Sequence, residues 1–324
     1  MPPRARHLVL AEVWGYSLPV YRLFILSLHN TGFRGDIKLL APPNKTRPEV
    51  VTWLAAHEIE LVTLAASEWH SSDRFYQYSA LCSGGYAWCL AADFRDTFFQ
   101  RDPFEPIRRM VRTLPHADVP DLVLPAEYRL LHNDTFNAGM LSMCYGKRIL
   151  PRLPRDAPVI CSGVLLGNAA AFAALPAALV ALAHRCPFDK MSDQAALNVL
   201  VHLHRRDLVH NATGRPIKVA LEAAGTGFTA TIGRFKGRDL ADAFARGHIR
   251  DGIVLNDDGT PVPVVHQWDR LLFWKDKRKN HVCYSGLQPR TGLFESAYEV
   301  VDRPCPPGHV RYAAIDRVLQ ITDR

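Results

Sequence analysis

The most constraining feature of this chain is a strand-like apolar run, residues 86–96, that ends in Asp93-Phe94-Arg95-Asp96. A buried strand does not normally bring two carboxylates into its own core, because an unpaired buried charge is costly. At the end of a strand, however, both carboxylates can reach one cation, and hard divalent cations prefer oxygen ligands. This stretch therefore predicts a metal site that can bind a diphosphate.

Strand-like and helix-like segments alternate along the chain before this motif. The predicted strands are 7–13, 37–41 and 59–63, and the predicted helices are 19–32, 48–57 and one capped by Ser72-Asp73. This alternation is typical of a parallel sheet with helices on both faces, and ligands bind beyond the carboxyl ends of such strands. Asp93, Asp96 and the segment 12–16 should therefore share one edge of an α/β sheet.

The second part of the chain has a mixed pattern. Residues 122–124 and 159–166 are strand-like, residues 169–184 form an Ala-rich helix interrupted by Pro176, and Ser192 caps another helix. The Gly-rich segment 211–259 is not assigned. We predict one domain, 1–324, with a nucleotide-sugar-binding half (1–106) and an acceptor-binding half with a C-terminal closing segment (107–324).

Composition limits the classes of function. The formal charge is +7, and the excess includes a cluster at 275–279; it indicates either a solvated surface or attraction for anionic ligands such as diphosphates. No basic and aromatic pattern of a nucleic-acid-binding motif occurs, so no nucleic-acid partner is expected. We expect no signal peptide, and no apolar run approaches the roughly 20 residues of a membrane span. Its seven cysteines lack CxxC spacing and suit reduced core thiols. These features predict a cytoplasmic location.

Several segments in register resemble glycosyltransferases of the GT-A fold. The resemblance is greatest to a group of nucleotide-sugar transferases of algae, plants, bacteria and large algal viruses. The segments that carry it are Gly15-Tyr16 with the helix after it, residues 74–78, residues 92–104, Phe136-Asn137-Ala138-Gly139, residues 160–164, Ser192-Asp193-Gln194 and residues 264–270. The resemblance implies a GT-A fold, a mixed, mostly parallel sheet with helices on both faces and a Rossmann-like nucleotide half.

The resemblance also implies the metal ligands. The family motif is usually Asp-x-Asp, whereas here the spacing is Asp-x-x-Asp; we expect Asp96 to bind the metal and Asp93 to serve the metal or the ribose hydroxyls. His266 follows a strand-like run and is similar to the late histidine that joins the metal in retaining, glycogenin-like transferases. The alternatives are a helix cap with an Arg–Asp surface pair for the acidic motif, and an ordinary core or surface histidine for His266.

Asp193 and Gln194 look like the pair near the anomeric carbon in those retaining enzymes. Asp193 is equally a favourable charge at a helix start. Ser162-Gly163 precedes them on a strand, where the glycine allows close approach of a sugar or marks a bulge.

The donor side follows from the same resemblance. Arg74 matches a basic residue that similar enzymes use on the donor diphosphate, and the alternative is an exposed arginine at a helix start. Tyr16, which follows Ala11 and Glu12 at the end of the first strand, could stack on the base or pack as a loop aromatic.

The sequence thus predicts a glycosyltransferase, hexosyl or pentosyl, that acts in glycan or polysaccharide biosynthesis. It would use Mn²⁺ or Mg²⁺ and a nucleotide diphosphate donor, UDP in preference to GDP, and transfer the sugar to a hydroxyl acceptor with retention. One alternative is a nucleotidyltransferase that makes the activated sugar, but residues 12–17 lack its Gly-rich, basic phosphate loop. Another is a sugar- or nucleotide-binding protein without transferase activity.

Overall fold

A computed structural model describes residues 6–64, 71–189, 191–234, 243, 245–250, 253–268, 288–289 and 298–299. The helices of these ranges are α1 (Leu18–Asn30), α2 (Pro48–Ala56), α3 (Arg74–Cys82), α4 (Glu105–Thr113), α5 (Thr135–Tyr145), α6 (Ala169–Ala183) and α7 (Ser192–Leu203). The strands are β1 (His7–Glu12), β2 (Asp36–Ala41), β3 (Glu60–Thr63), β4 (Trp88–Ala92), β5 (Thr97–Phe99), β6 (Leu122–Leu130), β7 (Pro158–Ile160), β8 (Val164–Asn168), β9 (Val219–Glu222), β10 (Thr229–Thr231), β11 (Ile249–Arg250), β12 (Ile253–Val254), β13 (Val264–His266), β14 (Gln288–Pro289) and β15 (Tyr298–Glu299).

The central sheet has the strand order β3-β2-β1-β4-β8-β6-β7, with β9 beside β6. Strands β3, β2, β1 and β4 are mutually parallel, whereas β8 runs antiparallel to both β4 and β6. The chain therefore has the mixed, mostly parallel α/β architecture that the sequence predicts. The first four strands form a doubly wound unit in which the strand order reverses between β1 and β4, the place where such sheets form a ligand crevice.

Helices cover both faces of this sheet. In β1, Val9 and Ala11 belong to an apolar cluster that includes α1 and α2, whereas Leu8 and Leu10 belong to a second cluster with α3, α5, α6 and α7. Alternate residues of a strand point to opposite faces. A strand buried on both faces reads as a continuous apolar run, which explains the composition of β1 and β4.

A second sheet, β10-β13-β5, adjoins the first. Strand β5 begins directly after Asp96, so the residues 93–96 form the turn through which the chain leaves the central sheet and enters the second one. The acidic motif is followed by a strand, and the alternative that it caps a helix is therefore wrong.

Three local predictions differ from the structure. The apolar segment 159–166 is two strands, because Cys161-Ser162-Gly163 forms a turn between β7 and β8. Helix α6 continues through Pro176, and α7 begins at Ser192 itself, after Met191 at φ 67°.

The cysteine prediction is wrong for four of the seven residues. Disulfides join Cys82 of α3 to Cys89 of β4, and Cys144 of α5 to Cys186 after α6. Cys161 is free and buried. Each disulfide thus links elements that pack against the same apolar cluster.

Within the described ranges, none of the helices has the length and apolar character needed to cross a membrane. The basic cluster 275–279 and the last two residues of the motif 264–270 lie outside the described residues.

Candidate active site

Strand pairing brings the predicted metal ligands together from distant parts of the chain. Ala92, the last residue of β4, pairs with Val164 of β8, and the backbone N–H of Asp93 donates to the carbonyl of Gly163 at 2.7 Å. Four residues after Asp93, Thr97 of β5 pairs with His266 of β13. The two pairings place Asp93, Asp96 and His266 around the junction of the two sheets.

The ligand atoms of these three residues lie within 4.8 Å of one another. His266 Nε2 is 3.4 Å from an oxygen of Asp93 and 3.6 Å from an oxygen of Asp96. The His266 and Asp96 side chains are buried, whereas about a third of the Asp93 side chain is exposed. The cluster therefore opens to solvent on the side of Asp93.

Gly163 leaves the space that this cluster occupies. A Cβ at this position would lie 2.4 Å from His266 Cε1, 2.6 Å from His266 Nε2 and 2.6 Å from an oxygen of Asp93. Real Cβ atoms do not approach other atoms so closely, so a side chain here would displace the ligands. The glycine is required by the site itself.

The cluster concentrates negative charge. Burial would raise the pKa of Asp93, but the charge of Arg74 and the contact with His266 hold it well below its ordinary value. Burial opposes ionisation of Asp96 as well, and its pKa is lowered by His266. Burial would lower the pKa of His266, yet the Cys161 sulfur and the two carboxylates raise it well above the usual range. Arg74 offsets part of this negative charge, and a proton on His266 or a bound cation can offset more of it.

Arg74, the first residue of α3, joins this cluster to the predicted reacting centre. Its Nη1 donates to Asp93 at 3.2 Å and its Nη2 donates to Asp193 at 2.7 Å. Nη1 also lies 3.9 Å from Glu12, and only 13% of the Arg74 side chain is exposed. Burial would lower the pKa of Arg74, but Asp193, Asp93 and Glu12 raise it well above its ordinary value. The alternative of an exposed arginine at a helix start is wrong.

Asp193 and Gln194 lie in the first turn of α7 and are buried. One oxygen of Asp193 binds Arg74, and the other accepts the backbone N–H of Gln194 at 2.8 Å. The side-chain amide of Gln194 donates to Asn137 Oδ1 at 2.7 Å, and its oxygen lies 3.9 Å from Cys161 Sγ. Asn198 bonds both backbone groups of Ile160 and the carbonyl of Gln194, and so fixes α7 against β7.

The predicted donor-side residues Ala11, Glu12 and Tyr16 lie at or shortly after the end of β1, and Ser162 and Gly163 directly precede β8. Glu12 accepts a hydrogen bond from the indole of Trp14 at 2.8 Å. Tyr16 packs beside Phe94 with the ring centroids 6.0 Å apart, and burial raises the pKa of its hydroxyl to about 12. Ala11 has no exposed surface, so its side chain is unavailable to a ligand.

Ser162 is buried in the turn between β7 and β8, directly before Gly163. Its neighbour on the other side, Cys161, was not predicted to belong to the site. Asn137 belongs to the segment 136–139 that carries the resemblance, but it was not assigned a functional role. The positions of Cys161 and Asn137 depend on the packing of α5 and α7. The one sequence signal for Asn137 is Asp134, a polar residue directly before α5 that accepts the backbone N–H of Asn137.

The residues fit a divalent cation. His266 Nε2 is buried and has no hydrogen-bond partner among the described residues, although two carboxylates face it. Carboxylate oxygens suit Mg²⁺ and Mn²⁺, whereas an imidazole nitrogen is uncommon on Mg²⁺. The donor set of two carboxylates and one imidazole therefore fits a divalent transition-metal ion better than Mg²⁺.

Comparison with known proteins gives similar folds and no close relative. No family profile matches the chain, and no curated protein matches it. One similar solved structure is the glycosyltransferase GlyE of Streptococcus pneumoniae, with 16% identity over 84% of this chain and 56% of that one, at a TM-score of 0.45. This chain thus spans little more than half the length of GlyE.

Another similar structure is the galactosyltransferase LgtC in complex with donor and acceptor sugar analogs. The identity is 14%, the match covers 81% of this chain and 87% of that one, and the TM-score is 0.46. At this level of similarity the chemistry has to be inferred from the site's own residues.

Proposed function

We propose that this protein is a metal-dependent glycosyltransferase that moves a sugar from a nucleotide diphosphate, UDP in preference to GDP, to a hydroxyl acceptor. The supporting observation is the convergence of Asp93, Asp96 and His266, with ligand atoms within 4.8 Å, at the edge where a doubly wound sheet binds ligands. That residues 1–106 bind the nucleotide sugar and residues 107–324 bind the acceptor stays a prediction.

Asp96, Asp93 and His266 would hold Mn²⁺. A bound divalent ion supplies charge that stabilises a leaving diphosphate. Arg74 holds Asp93 and Asp193 through its two Nη atoms and adds a positive charge to the same pocket. Tyr16 and Glu12, at the end of β1, lie on the side where the base and ribose of the donor are expected.

Asp193 and Gln194 would position the reacting centre. Both oxygens of Asp193 are engaged, one by Arg74 and one by the backbone N–H of Gln194. A general base for inversion needs a carboxylate oxygen that can take the proton of the acceptor hydroxyl. The engagement of Asp193 therefore supports retention, with the carboxylate and the Gln194 amide stabilising positive charge on the sugar.

The test is a screen of UDP-, GDP- and CDP-sugars for hydrolysis with and without Mn²⁺, with NMR detection of the first anomer released. We expect Mn²⁺-dependent hydrolysis of a UDP-sugar and initial release of the retained anomer. Thermal shifts with UDP, GDP and CDP, each with and without Mn²⁺, identify the base before any sugar is known. Strong UDP–Mn²⁺ binding without turnover of any donor would favour the non-catalytic binding protein instead.

Asp96→Asn and His266→Ala should lower donor hydrolysis at least about 100-fold, since each removes a ligand of the ion. Matched controls are Asp102→Asn, an ion-paired carboxylate preceding α4, and His57→Ala after α2, which should leave turnover unchanged. Undiminished turnover in both ligand variants would contradict the metal assignment.

A further inference from the structure

The two nitrogens of His266 face different neighbours. Nε2 points to Asp93 and Asp96, whereas Nδ1 lies 3.5 Å from the sulfur of Cys161. Cys161 is 1% exposed and belongs to the turn that also carries Gly163. The thiol is therefore in contact with a proposed metal ligand but on the side of the ring away from the carboxylates.

A cation on Nε2 fixes the hydrogen bond on the other side of the ring. Metal binding uses the lone pair of Nε2, so the proton of the neutral imidazole is on Nδ1, and Nδ1–H donates to its nearest acceptor. In this site that acceptor is Cys161 Sγ. Metal-bound histidines usually donate their other N–H to an outer group, which holds the ring in place.

The hydrogen bonds continue in one direction beyond the sulfur. Once Sγ accepts from His266, the thiol hydrogen is directed to the oxygen of Gln194, 3.9 Å away. The Gln194 amide donates to Asn137 Oδ1 at 2.7 Å, and the Asn137 amide donates to Asp134 at 3.2 Å. The carboxylate of Asp134 can only accept, so this end fixes the direction of every donor before it.

We propose that Cys161 is a positioning residue that couples the metal ligand His266 to the orientation of the Gln194 amide. This inference rests on the proposed metal-dependent function. The thiol would accept the Nδ1 proton of the metal-bound ring and would keep the oxygen of Gln194 turned toward His266 and its amide nitrogen turned away. A cysteine that serves only as a small apolar residue would do neither.

The first measurement is Mn²⁺ affinity by calorimetry, without donor, for the wild type and three variants. Cys161→Ala removes the acceptor and should weaken Mn²⁺ binding about tenfold. Cys161→Ser keeps an acceptor and a donor and should stay within about threefold of the wild type, since its hydroxyl can make the same two bonds. Val159→Ala in β7 makes a comparable cavity without loss of a hydrogen bond and should leave the affinity unchanged.

The second measurement reads the tautomer directly on the unmodified protein. Long-range ¹H–¹⁵N NMR of the ¹⁵N-histidine-labelled Zn²⁺ form should show His266 with its proton on Nδ1 and the metal on Nε2. At saturating Mn²⁺, Cys161→Ala should still have about tenfold lower turnover, because the Gln194 oxygen loses its donor and the amide is held only through its nitrogen.

A wild-type affinity in Cys161→Ala, or metal on Nδ1 of His266 in the NMR spectrum, would overturn the coupling. Because the tautomer is read on the wild type, this holds even if the alanine variant does not fold. Metal binding with the expected tautomer but no turnover of any nucleotide sugar would defeat the proposed function and leave the coupling intact. A wild type that binds neither Mn²⁺ nor Zn²⁺ would overturn both.

Discussion

The two ends of the central sheet carry charged residues in different ways. At the amino end, a groove of about 740 Å³ is lined by four arginines and two aspartates: Arg6, Arg34, Arg108, Arg112, Asp36 and Asp102. Its ion pair Arg6–Asp36 is exposed, and the pair Arg108–Asp102 is partly exposed. At the carboxyl end, Arg74 lies among the carboxylates of Glu12, Asp93 and Asp193, and Asp93 is also 3.4 Å from His266.

The comparison teaches that the two ends differ in how deeply their charged residues are buried. Exposed ion pairs form at little cost and contribute little, whereas buried ones persist only where every charge has a partner. The carboxyl end keeps Arg74 and Asp193 buried with Asp93 partly buried beside them, and the cost of burying these charges is expected where charge is used in chemistry.

The largest expected effect breaks the buried network. Arg74→Ala leaves Asp93 and Asp193 without their shared cation and should lower the free energy of unfolding by about 3–5 kcal/mol. The matched change at the amino end, Arg108→Ala, should cost less than about 1 kcal/mol, because its partner Asp102 is partly hydrated. Urea unfolding of both variants gives the difference, and equal losses would mean that the two ends do not differ as we describe.

The next effect concerns space at the carboxyl end. Gly163→Ala places a methyl group where His266 and Asp93 meet and should lower Mn²⁺-dependent donor hydrolysis about 100-fold, since displacement by about 1 Å is enough for such a loss. Gly139→Ala in α5 is the control: a Cβ there meets nothing within 4 Å, so activity should be retained. Mn²⁺ affinity measured on both variants would show whether the loss of activity arises at the metal. Full activity in Gly163→Ala would contradict the claim that the site requires a glycine at this position.

Much of the fold could be predicted from the sequence, because β1 and β4 are buried on both faces and such strands have continuous apolar runs. The acidic motif was predictable for the same reason: charge next to such a run must lie at its end. The histidine was located by resemblance and by the short strand before it, and its pairing with Thr97 explains why it reaches Asp96.

The rest depends on packing between distant segments, which local patterns do not contain. The run 159–166 reads as one strand because Cys161 and Ser162 are small, yet both lie in a turn. The disulfides could not be predicted, since cysteine spacing does not report that α3 lies beside β4. The contact between Cys161 and His266 joins residues 105 positions apart and had no signal in either segment.

The smallest expected effect compares two carboxylates at the carboxyl end itself. Asp93 lies beside the cation Arg74, whereas Glu222 has no such cation in the part of the chain that the structure describes. Glu222 ends β9, and its side chain accepts the backbone N–H of Phe228 at 2.7 Å but has no ion-pair partner among the described residues. Burial raises its pKa to about 7, opposite to the shift of Asp93 beside Arg74.

The folded state therefore holds the proton of Glu222 more tightly than the unfolded state does. The contribution of this proton to the free energy of unfolding is complete below about pH 4.5 and is lost as the pH rises through about 7. The free energy of unfolding should therefore decrease by on the order of 2 kcal/mol between pH 5 and pH 8. Glu222→Gln should remove this decrease, whereas the control Glu105→Gln, a partly exposed residue on α4, should not. An unchanged slope in Glu222→Gln would contradict the assignment of this pH dependence to Glu222.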